Sequence, residues 1–355
     1  MLEDRIFGVS RRHVLQWAAA APAGAALARI GIAQAATESA IRGQQGKQTT
    51  LKFGSSQPTH TQNAHSVFFD KFISELTSRT NGNVGAIFYG DSQLGPEDKY
   101  PNQLNAGTLD MMMVISEWAP QVPELGVLTL GFLFDTLDQT GTVMDGSAGQ
   151  LLQAMFKKRT KAEILGWCYN FGGRSVLTKT PVTTPAELRG KKLRVLPAPT
   201  YVQTFRLLGV DPVPMSFNEV YVSLQTGVID GLEHDPPTIL QFKFYEIAKN
   251  YTLTRHIFDP CAPIISDMAM KKLSAADQQA VRESAAEGVK YQRLQAGAAA
   301  AHALDQLKQN GLKTYDIDRA VLKQEVKPLW TSFTKQYPDA KPVLQAILTD
   351  TKQTI

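Results

Sequence analysis

Two stretches of the chain repeat one pattern, "QLNAGTLD" (Gln103–Asp110) and "SLQTGVID" (Ser223–Asp230). Each reads as a helix end, a glycine cap and a strand start, because glycine takes the left-handed conformation that ends many helices without a side-chain clash. The match is short, and the reading it favours is a duplicated pair of lobes. A chain of 355 residues is long enough for two.

The segments around each copy agree. "TLKFGSS" reads as a strand and "NAHSVFFDKFISELTSRTNG" as a helix, with Val67, Phe68, Phe72 and Leu76 at helical spacing and Asn81-Gly82 as its stop. "VGAIFYG" is a further strand. "GPEDKYPNQLNAG" is a helix that Pro96 opens and Pro101 bends or delays. "TLDMMMVI" follows as a strand, with Met111 to Met113 in its core. The alternation restarts with "EILGWCYNF", "RSVLTK", "KKLRVLP", the helix "APTYVQTFRLLG", "DPVPM" and the helix "NEVYVSLQTG". Such alternation predicts an α/β fold with largely parallel sheets. From Ser274, with Asp277 completing an N-cap pair, a long Ala-rich helix is expected to lie across both lobes and brace them.

The expected domains are a signal peptide over 1–35, a first lobe over 48–171 and a second over 172–259. Residues about 260–300 return to the first lobe, and C-terminal helices over about 301–355 pack on the second. Residues 36–49 read as a polar leader. The signal rests on "SRRHVLQWAAAAPAGAALARIGIAQAA": Arg11 and Arg12, an Ala-rich run and the A-x-A site Ala33-Gln34-Ala35. The arginine pair is placed for twin-arginine export to the periplasm. No later apolar run reaches the ~20 residues that span a bilayer. Cys168 and Cys261 sit in apolar strand-like settings, where a disulfide and a pair of small buried thiols are both open.

Chemistry is sparse. The chain has no GxSxG, HExxH, GxxxxGK[ST] or strand-borne GxGxxG. His60 and His65 are off the i,i+4 spacing of one helix face, and "LEHD" (Leu232–Asp235) has no visible metal partners nearby. A net charge of +4 without a Lys/Arg cluster gives no nucleic-acid footprint. An enzyme, a metal site and a cofactor are therefore not expected.

In "KKLRVLP" period-2 alternation puts Leu193 and Val195 on one face, with Lys192 and Arg194 on the other. Pro197 ends the strand, so Arg194 arrives near the carboxyl edge of its sheet, where open α/β sheets bind ligands. Arg174 follows Gly172-Gly173, which lets other groups approach closely. Two guanidinium forks in one partly dry cleft ask for an anion; pairing of either with a structural Asp or Glu is the alternative.

Several blocks act together: "LKFGSSQPTHTQNAHSVFFDKFISELTSRTNG", "QLGPEDKYPNQLNAGTLDM", "VPELGVLTLGFLF", "TPAELRGKKLRV", "LGVDPVPMSFNEVYVSLQTGVIDGLEH" and "KFYEIAKNYTLTRHIF". Through them, from about Leu51 to about Tyr291, the chain resembles the DctP-type periplasmic solute-binding proteins of TRAP (tripartite ATP-independent periplasmic) transporters. The resemblance implies a two-lobed, periplasmic-binding-protein-like α/β fold. It also implies a receptor that takes an organic acid anion in the interlobe cleft and passes it to TRAP permease membrane subunits. Arg194 falls on the family's arginine that grips a substrate carboxylate, and Arg174 on a supporting arginine.

Where the family usually has "DGxEN", this chain has Glu233-His234. His234 is expected at the cleft beside the Arg194 guanidinium, with a histidine packed under the loop as the alternative. The resemblance further nominates Gln57, His60, Ser116, Glu117 and Trp118 from the first lobe. The spacing of Glu117 argues against sialic acid. Some members hold a 2-oxo or 2-hydroxy acid with a metal ion, partly through the position of Glu233, which makes metal-assisted binding the second reading.

Overall fold

The computed structural model describes residues 41–59 and 63–354; the expected signal peptide over 1–35 and His60 lie outside them. β1 (Ile41–Gln44) and β2 (Thr49–Gly54) lead into helix α1 (Ala64–Arg79) and β3 (Val84–Tyr89). α2 (Tyr100–Ala106), β4 (Met111–Met112), α3 (Leu137–Asp145), α4 (Ser147–Arg159) and β5 (Ala162–Ile164) follow. The Asn63 side chain accepts the Ser66 N–H and so caps α1. Its Phe68, Phe72 and Leu76 are fully buried. The helix stops at Thr80, just before Asn81 and Gly82, both with positive φ. Pro101 sits in the first turn of α2, where its missing N–H costs nothing, so the helix starts late behind a 3₁₀ turn over Glu97–Lys99.

The chain then crosses on β6 (Cys168–Tyr169) into a second lobe. That lobe holds β7 (Arg174–Thr178), β8 (Lys192–Val195), α5 (Pro199–Leu207), β9 (Asp211–Pro214), α6 (Val220–Thr226), β10 (Gly231–His234), α7 (Pro236–Gln241) and β11 (Asn250–Ile257). It returns on β12 (Pro260–Cys261) to β13 (Ile264–Ser266) and α8 (Asp267–Lys271). Helix α9 (Ala275–Gln309), β14 (Lys313–Tyr315), α10 (Arg319–Val326), α11 (Pro328–Gln336) and α12 (Lys341–Thr351) complete it.

One six-stranded sheet runs β1-β3-β2-β4-β13-β5 and the other β14-β11-β7-β10-β8-β9, while β6 and β12 pair as a two-stranded ladder between them. β3 is buried along nearly its whole length because β1 and β2 cover both its edges. The expected polar leader is thus partly strand: Ile41 pairs with Tyr89 on the sheet edge.

The sequence repeat is a structural one. Gly107 and Gly227 end α2 and α6 with φ of 73° and 81°. Asp110 then clasps β2, accepting the Lys52 N–H at 2.9 Å and donating its own N–H to the Lys52 carbonyl at 3.1 Å. Asp230 does the same to Lys192 of β8, at 2.8 Å in both directions.

Helix α9 braces both lobes. Its buried stripe includes Val281, Ala285, Gly288, Gln292, Ala296 and Leu307, spaced for one face. Gly288 lets α1 approach so closely that a Cβ there would lie 2.9 Å from the Phe68 ring. Further along, Leu307 joins the second lobe's core. Midway, the Gln292 amide holds the backbone of Tyr169 in the crossover strand from both sides. The C-terminal helices do not all sit on the second lobe. α10 packs on β11 and α5, but α12 packs on α3 and α4. Its Val343, Leu344, Ile347 and Leu348 bury in the same cluster as Leu152 and Phe156, and that apolar face decides its place.

Candidate functional site

β8 and β10 run parallel and β7 antiparallel to β10, so one sheet edge gathers the end of β8, the end of β10 and the start of β7. Arg194, His234 and Arg174 are the residues delivered there. All three line a cleft whose other wall comes from the first lobe, including Gln57, His65, Glu97 and Glu117.

Arg194 is 2% exposed, while Leu193 and Val195 on the opposite face of β8 are fully buried in the core. Its Nε and Nη2 donate to the Met215 carbonyl at 3.2 and 3.0 Å, and its guanidinium lies 5.6 Å from the Phe217 ring centre. Nη1 is buried without a partner. Burial lowers the Arg194 pKa to about 10; Glu233 opposes this and Arg174 adds to it. A guanidinium destabilised to that degree is a desolvated charge short of an anion.

Arg174 has its anion. Its Nε and Nη2 donate to Glu233 Oε2 and Oε1 at 2.5 and 2.7 Å, a bidentate grip between side chains 2% and 0% exposed. His256 Nε2 lies 3.2 Å from Glu233 Oε2. Burial alone would raise the Glu233 pKa, but the adjacent Arg174 charge and the His256 bond outweigh it and bring it down to about 2. One expectation is corrected here. Glu233 is outside the cleft lining and fully buried in a closed ionic cluster with Arg174 and His256. Arg174 lines the cleft but spends its fork on Glu233. The metal-assisted reading loses its donor with Glu233, and no cluster of metal-ligating side chains occurs among the described residues.

His234 lines the cleft and is 8% exposed. Its Nδ1 accepts the Asp235 N–H at 3.0 Å, with the Asp235 carboxylate equally near. Burial lowers its pKa, and the charge that adds to this is Arg174 rather than the expected Arg194; Asp235 opposes both. The Phe217 ring meets His234 edge-on at 5.6 Å, the same separation it keeps from the Arg194 guanidinium.

On the first-lobe wall Gln57 Oε1 is buried and unpartnered. Burial raises the Glu117 pKa to about 7, helped by Glu97 and Asp98 and opposed by Arg194 across the cleft. Ser116 lines the cleft beside it. Trp118 does not: it is fully buried, edge-on to Phe156 at 4.9 Å. The 3₁₀ turn over Ser116–Trp118 turns Glu117 outward and the indole into the core.

Glu97 and Phe217 were missed by sequence reasoning, and the repeat held the signal for both. Glu97 stands six residues before Gln103 and Phe217 six before Ser223. Each opens a 3₁₀ turn feeding the repeated helix, so the duplication sends one turn into the cleft from each lobe.

The family model "Bacterial extracellular solute-binding protein, family 7" (DctP) matches residues 53–336. The chain belongs to this family. A twin-arginine translocation signal model matches residues 8–28, which makes this DctP-family protein periplasmic. It is 30% identical to the 2,3-diketo-L-gulonate-binding periplasmic protein YiaO of Escherichia coli, over 84% of this chain and 91% of that one. A solute-binding protein of Chromohalobacter salexigens is also 30% identical, over 79% and 83%. Among solved structures, a TRAP periplasmic solute-binding protein from Xanthobacter autotrophicus with bound β-D-galacturonate superposes with a TM-score of 0.79, at 29% identity, covering 84% of this chain and 98% of that one. A counterpart from Chromohalobacter salexigens with bound D-glucuronate gives 0.80, at 28% identity and 84% and 99% coverage. The two-lobed DctP fold with its long brace is thus a solute-receptor scaffold.

Proposed function

We propose that the cleft binds a small hydroxylated monocarboxylate of the sugar-acid class and that the protein delivers it to the membrane subunits of a TRAP-type permease. The observation that carries this reading is Arg194, buried, with Nη1 aimed at no protein acceptor. A ligand carboxylate supplies the missing anion, and a charge-assisted bond of this kind contributes roughly 1.5–3 kcal/mol. Arg174, already neutralised by Glu233, supplies field and shape to the same carboxylate pocket, while His234 and Phe217 close its side.

The opposite wall suits hydroxyls. Burial brings the Glu117 pKa up to about 7, so that carboxyl can both donate and accept near neutral pH; Glu97, also raised by burial, holds the Ser56 N–H, and Gln57 Oε1 awaits a donor. Simple fatty acids leave that wall unsatisfied, at the cost of buried polar groups. Because the carboxylate grip is on the second lobe and the hydroxyl wall on the first, such a ligand reaches full contact only when the lobes are together. That differential contact is what drives closure. Relatives bound to galacturonate and glucuronate support the same chemical class.

Thermal-shift and calorimetric titration against hexuronates, aldonates and unsubstituted C3–C8 mono- and dicarboxylates tests the proposal. Hydroxylated monocarboxylates should raise Tm, and the rise should grow with the logarithm of ligand concentration above Kd. Stabilisation by unsubstituted acids alone would overturn the class assignment.

A further inference from the structure

Cys168 and Cys261 face each other directly across the β6–β12 ladder, with Pro260 opposite Tyr169 next to them. Both are buried and both are free thiols. Directly opposed residues of an antiparallel pair stand about 4.5–5.5 Å apart at Cα, inside the ~4.4–6.8 Å range that a disulfide spans.

The position in the chain gives this pair its meaning. Everything between the two cysteines is second lobe: β7, β8, β9, β10 and β11 all fall there, five of the six strands of that sheet. Before Cys168 and after Cys261 the chain belongs to β5 and β13 of the first sheet. A bond at this point closes the neck of an inserted lobe. The loop it closes is long, and cross-linking a long loop removes the most freedom from the unfolded chain.

We propose that the exported protein carries a Cys168–Cys261 disulfide that staples the neck of the second lobe. The oxidant is a disulfide-bonded protein or small-molecule disulfide of the oxidising compartment. One cysteine thiolate attacks the oxidant's disulfide, forming a mixed disulfide and releasing the first oxidant thiol. The second cysteine then attacks the mixed disulfide and releases the second thiol. The pair gives up two electrons and two protons, and the oxidant takes up both. In the folded ladder burial pushes the Cys261 thiol well above the ordinary thiol range, so exchange runs while the neck is open. Once formed, the bond is shielded from thiols by the same burial. Gly172, with φ of +116°, turns the chain just beyond the ladder in a conformation that favours glycine.

The test uses full-length protein recovered from the periplasm, acid-quenched, denatured and alkylated with iodoacetamide before and after reduction. The expected intact mass shows no adduct before reduction and two after it. Two adducts without reduction would overturn the proposal and leave the pair as core-filling thiols. Independently, wild-type protein unfolded with dithiothreitol and refolded in its presence should melt about 5–10 °C lower than the oxidised protein. The lowered Tm should match that of a Cys168→Ser/Cys261→Ser variant. An unchanged Tm in a protein whose disulfide mass is confirmed would refute the staple.

Discussion

Arg174 grips Glu233 in a buried bidentate pair, at 2.5 and 2.7 Å, and this pairing leaves Arg194 as the cleft arginine with an unpartnered nitrogen. One wall thus carries two guanidinium groups with different tasks. The first is part of the fold, and the second is held ready for a carboxylate.

If the pair is structural, removing one charge strands the other. Glu233→Gln leaves Arg174 buried without its anion, and a broken buried pair costs about 3–5 kcal/mol. Urea unfolding should show a loss in that range. A loss below ~1 kcal/mol would mean the pair behaves as if solvated.

Acid should destabilise the protein in two windows. His65 is held at a pKa of about 4 by burial, against an ordinary value of 6.5. A base with a depressed folded pKa binds protons more readily when unfolded, so its contribution is full above 6.5 and lost as pH falls towards 4. His234 and His256 are lowered too and act in the same direction. Glu233, brought down to about 2 from 4.5, adds a second loss between those values. Tm measured from pH 7 to 3 should fall throughout, and His65→Gln should flatten the upper part of the curve. An identical slope in that variant would show that His65 titrates alike in the folded and unfolded states.

Ligand affinity should weaken as pH rises above about 7. In the empty cleft the Glu117 pKa lies near 7, and an arriving anion raises it further, so binding takes up a proton. Calorimetry in buffers of different ionisation enthalpy should register that uptake in wild type and in His234→Asn, but not in Glu117→Gln. Uptake abolished by His234→Asn instead would assign the coupled proton to the histidine.

Trp118→Ala separates core from cleft. The indole is buried against Phe156, so its removal should cost about 3–5 kcal/mol of stability. Affinity measured on the fraction that remains folded should stay within twofold. A large loss of affinity at full stability would return Trp118 to the ligand.

Local chemistry made part of this legible in the sequence. Leu193 and Val195 alternate with Arg194, which set its face, and Pro197 ending the strand set the guanidinium at the sheet edge. Gly107 and Ser274 marked helix ends, the one through its left-handed backbone and the other through the hydrogen bond its hydroxyl accepts. What stayed hidden depends on contacts between distant segments. That Glu233 closes on Arg174 follows from the register of β10 against β7, with Glu233 opposite Val176, which no local pattern encodes. The outward Glu117 and inward Trp118 differ by one residue in a 3₁₀ turn, and their direction is set by the packing of Phe156. α12 has an ordinary amphipathic face, and the surface that receives it, on α3 and α4, is built from a distant part of the chain.

Arg194→Lys is the most direct trial of the carboxylate grip. Lysine keeps the charge and loses the planar fork, and the fold can be checked by its unfolding curve. Once a stabilising hexuronate or aldonate is in hand, calorimetry should show its affinity falling at least tenfold in the variant, about 1.4 kcal/mol. Unchanged affinity in a folded Arg194→Lys protein would contradict the assignment of Arg194 as the group that holds the ligand's carboxylate.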